Sequence, residues 1–157
     1  VRYLELTCQT TLWVVFLAAA IGKAQPGAYH GFVSSLSSVR WLPARLAASA
    51  AVGIIVVEGS AVVALSSPRT AVVGYGLVVA ALAAFTATAA DALRRGEHLQ
   101  CRCFGADSGP IRPPQLARNG ALIAIALTGL GTWLGGAAAW PSPVVATAAI
   151  ASGLAIA

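Results

Sequence analysis

Two cysteines separated by one residue stand in the segment Cys101-Arg102-Cys103-Phe104-Gly105, a short polar stretch of a chain that is otherwise largely apolar. A thiol reacts as its thiolate, and ionisation is favoured by solvent access and neighbouring positive charge. Arg94, Arg95, His98, Arg102 and Arg112 supply that charge around the pair. Cysteines this close can form a small, strained disulfide ring, and strain makes such a bond easier to reduce. The chemistry indicated is thiol–disulfide exchange, with Cys101 and Cys103 as the redox pair. Phe104 and Gly105 would turn the chain back toward the membrane, Gly105 because glycine tolerates backbone conformations that other residues avoid.

The same atoms admit a second chemistry. His98, Cys101 and Cys103 form an H-x2-C-x-C cluster, and two thiolates with one imidazole suit Cu(I) or Zn(II). A fourth ligand would have to come from elsewhere. Cys8 is a poor candidate, because three membrane crossings separate it from the loop and place it on the opposite face; it reads as a small apolar residue. A static disulfide is the plain alternative to both chemistries.

The elements that position this loop are membrane helices. The chain has 157 residues, of which 58% are hydrophobic and 10% charged, with a mean hydropathy of +0.80. That leaves too little polar surface to coat a soluble globule, so the expected class is an all-α integral membrane protein of a single domain. Four apolar runs, about residues 6–21, 46–65, 71–93 and 116–134, approach the ~20 residues that cross a hydrocarbon core ~30 Å thick. Residues 143–157 form a candidate fifth span, short at roughly 22 Å of helix. The first run has the length of a signal-peptide core. Glu5 in its flank and the lack of a convincing small-x-small cleavage site favour a retained span, closed at Gly22-Lys23.

The predicted architecture is a four-helix transmembrane bundle with an interfacial segment between the first two spans. In that segment Phe32, Val33, Leu36 and Val39 share one face of a short helix, with Ser34, Ser35, Ser37 and Ser38 around it. Tyr29 and Trp41 would lie at headgroup depth, and Leu42-Pro43 ends the helix. Close helix approach is expected at Ala83, Ala84, Ala87, Ala89 and Ala90, and at Gly131-x-x-x-Gly135, where a homodimer contact is also open.

Glu58 lies inside an apolar run. A carboxylate there is costly, so it must face the bundle, be protonated or find a partner. Its candidate roles are proton acceptor for thiol exchange, contact for a quinone, or a hydrogen-bonded packing residue. Asp91 and Arg95 stand at i, i+4 and read as a structural ion pair. At the start of the fourth run, Asn119 could hydrogen-bond across the bundle while Arg118 snorkels.

Other chemistries find no motif. The sequence has no phosphate-binding glycine loop, GxSxG, HExxH or CxxC, and only two histidines. The formal charge of +5 comes from residues set between apolar runs rather than in a tract, which argues for lipid headgroups and against nucleic acid. A buried Glu would suit a transporter, but the runs hold too few polar positions to line a hydrophilic path.

With alternating spans, Arg2 and Arg69 share one face. Lys23, Arg40, Arg45, Arg94, Arg95, Arg102, Arg112 and Arg118 share the other. The positive-inside rule then puts the CxC loop of a multi-pass plasma-membrane protein in the cytoplasm, whereas a disulfide generator belongs on the oxidising side.

Gly22-Lys23, Phe32, Leu36, Leu42-Pro43, Glu58, Arg95-Gly96, Cys101-x-Cys103-Phe104-Gly105 and Arg118-Asn119, in this order, resemble the methylamine utilisation protein MauE family, within the DoxX-like group of small membrane proteins. The resemblance runs to about residue 135. The CxCFG element followed by Arg-Asn at the opening of a helix is its most specific part. It implies a four-helix, redox-associated membrane protein that works with a thioredoxin-like partner in forming disulfides of exported proteins. In the namesake system the client is the quinone-bearing subunit of methylamine dehydrogenase. In the light of the family pattern, Arg118 and Asn119 also frame the CxC loop. Soft-metal handling and a purely structural membrane role remain as alternatives.

Overall fold

The computed structural model describes residues 2–96, 100–101, 109–110 and 113–135. The candidate fifth span, 143–157, lies outside them. Among the described residues five helices carry the fold: α1 (Arg2–Ala24), α2 (Pro26–Ser37), α3 (Ala47–Leu65), α4 (Ala71–Arg94) and α5 (Pro113–Gly135), with a 3-10 turn, Ala44–Leu46, leading into α3. Two short strands, β1 (Gln100–Cys101) and β2 (Gly109–Pro110), pair antiparallel between α4 and α5. The four long helices close a ring of neighbours in which α1 packs on α3, α3 on α4, α4 on α5, and α5 back on α1.

Among the described residues, three stretches, Tyr3–Ala24, Ala44–Leu65 and Ala71–Arg94, are long and apolar enough to cross a membrane. They contain the first three expected spans. The fourth expected span falls within α5, whose first turns carry Gln115, Arg118 and Asn119 and which is not among these three.

The stop of α1 differs from expectation. The helix runs through Gly22 and Lys23 and ends at Ala24, where Gln25 turns to extended geometry (φ −65°, ψ 137°) ahead of Pro26. Proline lacks the N–H that would continue the ladder and clashes with the preceding turn, whereas one glycine only weakens a helix. The same Pro26 is well placed at the start of α2, where its missing donor costs nothing.

Helix α2 does not rest on lipid alone. It packs against α1 and α3, and Ala28, Phe32 and, just beyond it, Val39 are buried. Val33 and Leu36 are half-buried, and Ser34, Ser37 and Ser38 face outward. Trp41 beyond its end is exposed, as a headgroup-level tryptophan would be.

The core is a continuous apolar cluster built from Leu12, Val15 and Phe16 of α1, Ala61, Val62 and Leu65 of α3, Tyr75, Val78 and Leu82 of α4, and Leu122 and Ala126 of α5. Its tightest points are not those expected. Ala83, Ala84 and Ala87 are exposed, Ala89 and Ala90 half-buried, and a Cβ at Gly131 or Gly135 would meet open space. The close approaches are at Gly129, where a Cβ would stand 2.7 Å from the Tyr75 ring, and at Gly74, where it would stand 2.9 Å from the Leu65 backbone nitrogen. A large side chain such as Tyr75 enters the bundle only if the facing position has none, so the small residues that matter are set by what lies opposite.

At one end, α1 is fastened to the α3–α4 turn. Gln9 Nε2 donates to the Leu65 carbonyl, and Trp13 Nε1 donates to Ser66 Oγ at 2.9 Å. At the other end, α4 terminates at Arg95 and Gly96, whose φ of +68° supplies the left-handed turn that closes a helix.

Candidate functional site

The structure separates the candidate site residues into two places. Cys101 lies on β1, paired with Gly109 of β2. Its ladder closes a hairpin-like connection beyond the end of α4, and the Arg102-to-Gly105 segment falls between the two strands in sequence. His98, Arg102, Cys103, Phe104 and Gly105 lie outside the described residues, as does the arrangement of the H-x2-C-x-C cluster.

Arg95 caps α4 at the foot of this connection. Its guanidinium donates to Asp91 from Nε and Nη2, and Nη2 stands 2.7 Å from Asp91 Oδ2, as the i, i+4 spacing predicted. Arg95 also lines an open groove with Arg40 and Trp41. The α2–α3 link and the end of α4 therefore share one end of the bundle, the end from which the CxC segment leaves.

The second place is inside the bundle. Glu58 is 2% exposed, and its Oε1 accepts a 2.7 Å hydrogen bond from Lys23 Nζ. Lys23 itself is 1% exposed. Its ammonium lies 5.6 Å from the centre of the Phe32 ring and 5.7 Å from that of Phe85, within range of cation–π attraction. One carboxylate and two aromatic faces thus take the place of water around a charge in the bundle core. Four helices contribute, α1 through Lys23, α2 through Phe32, α3 through Glu58 and α4 through Phe85.

Lys23 departs from the place its charge predicts: rather than standing at the lipid headgroups with seven arginines, it is buried as the partner of Glu58. The continuation of α1 past Gly22 carries it into the bundle, and the charge bias between faces loses one member. The available signal was Glu58 itself, since a carboxylate within an apolar helix demands a cation and Lys23 is the basic residue ending the neighbouring span.

Asn119 is buried on α5, as its expected cross-bundle role requires, while Arg118 beside it is exposed. Cys8 is buried on α1, as expected of a small apolar residue. Among the described residues no group of three His, Cys, Asp or Glu side chains is placed to hold a metal.

These features, with three helices long and apolar enough to cross a membrane among the described residues, fit a small helical membrane protein with a buried ion pair and a cysteine-bearing connection following α4. The family model for methylamine utilisation protein MauE matches residues 1–134, and the chain belongs to that family. Membership implies a membrane protein associated with methylamine utilisation. No curated protein and no solved structure matches the chain.

Proposed function

We propose that this protein is a membrane thiol–disulfide component that exchanges electrons with a thioredoxin-like partner through Cys101 and Cys103. The observation that carries the reading is the CxC pair itself, borne on a connection that starts at the arginine-capped end of α4, in a chain of the MauE family. A partner thiolate attacks one sulfur of the Cys101–Cys103 disulfide, forming a mixed disulfide and releasing the other sulfur as thiolate. The partner's second thiolate then attacks the mixed disulfide. The partner leaves oxidised, and two electrons remain on the CxC pair. A quinone is the candidate acceptor for their removal. The reverse sequence would reduce the partner.

In this reading α5 is the fourth span. It packs along both α1 and α4, and its 23 residues extend roughly 34 Å, enough to cross. Exported proteins, of the methylamine dehydrogenase type in the namesake system, are the proposed clients. Labelling of Cys101 and Cys103 with impermeant reagents from each side of the membrane reports which cellular thiol pool they meet.

The deciding experiment replaces one cysteine. Cys101→Ser or Cys103→Ser leaves a single thiol that cannot resolve a mixed disulfide, so one of the two variants traps a covalent adduct with a thioredoxin-like protein, seen on non-reducing gels. If neither yields an adduct in membranes where the native pair cycles, the relay is wrong. Glu58 is tested separately. Slowed thiol turnover in a folded Glu58→Gln protein assigns it proton handling, and lost stability with unchanged turnover assigns it packing.

A further inference from the structure

The ion pair satisfies only half of the Glu58 carboxylate. Oε1 accepts from Lys23, whereas Oε2 is buried and has no hydrogen-bond partner among the described residues. An ionised carboxylate oxygen in a membrane interior has no lipid group to turn to, so leaving it bare is among the costliest arrangements a helix bundle can hold. Beside Glu58 lies a cavity lined by Val15, Phe16, Ala19, Leu82, Phe85 and Asn119. Its volume of about 20 Å³ exceeds the ~10–15 Å³ that a single water needs. It is too small for a headgroup, a quinone ring or a hydrated ion. Its lining residues are apolar except for Glu58 of α3 and Asn119 of α5.

We infer that this cavity is a binding site for one structural water, which donates to Glu58 Oε2 and is held by the Asn119 amide. A lone apolar void of this size stays dry; one lined by Glu58, whose Oε2 has no partner among the described residues, and by Asn119 offers the two polar residues from which a buried water can take its contacts. The water links α3 to α5 and extends the Lys23–Glu58 pair across the bundle, so that all four long helices meet at one polar cluster. The inference does not depend on the chemistry of the CxC segment.

The test uses the full-length protein in lipid nanodiscs. Proton-detected solid-state NMR, with the Asn119 side-chain amide assigned by its loss in Asn119→Leu, should show magnetisation transfer from a long-lived water to that amide in the native protein. Transfer to this amide should disappear in Ala19→Val, whose added methyl groups occupy the cavity. The same variant should melt at a lower temperature than the native protein, because filling the site expels the water and strands Oε2. Absence of water transfer to Asn119 in the native protein would overturn the site. So would a higher melting temperature for Ala19→Val, the result expected from filling a dry void.

Discussion

Lys23–Glu58 and Asp91–Arg95 are both acid–base pairs with nitrogen and oxygen 2.7 Å apart, yet they live in opposite surroundings. The side chains of the first pair are 1% and 3% exposed and come from different helices; those of the second are 39% and 46% exposed and lie one turn apart on α4. Separation therefore says little about what each contributes. The outer pair is bathed in water or headgroups, and an exposed i, i+4 bridge is worth only tenths of a kcal/mol. The inner pair has given up its hydration, and each charge is tolerable only because the other is present. The outer kind of pair decorates a fold, whereas the inner kind conditions it.

Removing one partner of the inner pair should produce the largest effect. Lys23→Ala is expected to cost about 3–5 kcal/mol of stability through the uncompensated Glu58 carboxylate, read as a loss of unfolding free energy in nanodiscs. The double variant Lys23→Met/Glu58→Leu should recover most of that loss, since it removes both desolvated charges and keeps side-chain volume. A double variant as unstable as Lys23→Ala would show that the pair does not act as a unit.

Packing comes next in size. Gly129→Ala drives a methyl group into the Tyr75 ring and should cost about 1–3 kcal/mol. Gly131→Ala meets open space and should be neutral or gain up to ~1 kcal/mol from helix propensity. Equal losses at the two positions, measured by thermal unfolding, would contradict the packing described here.

The outer pair should give the smallest response. Asp91→Ala is expected to change stability by about 0.5 kcal/mol or less, and the change should shrink further in high salt. A loss approaching that of Lys23→Ala would erase the contrast between the two pairs.

The same contrast explains what could be read from the amino-acid order. Asp91–Arg95 was legible because helical spacing alone brings the residues together. The first three span positions were legible because apolar run length is a property of the chain, and Phe32 and Val39 because period 3.6 marks a buried face. Lys23–Glu58 was not, since it depends on α1 continuing past Gly22 until Pro26 and on the way α1 lies against α3. Gly74 and Gly129 were hidden for a related reason. A small residue matters where a bulky one faces it, and Leu65 and Tyr75 face these positions only in the folded bundle. The CxC segment is the converse case, with its candidate chemistry written entirely in local residue types.

The central functional claim is that Cys101 and Cys103 cycle between disulfide and dithiol while Cys8, buried in α1, takes no part. Differential alkylation of the native protein in its membranes, followed by mass spectrometry, measures this directly. Mild reductant should expose two new thiols, mapped to Cys101 and Cys103, with Cys8 unlabelled until the bundle is unfolded. A pair that remains fully alkylatable after oxidant treatment, and loses that reactivity only on addition of Cu(I) or Zn(II), would contradict the redox account and support soft-metal binding.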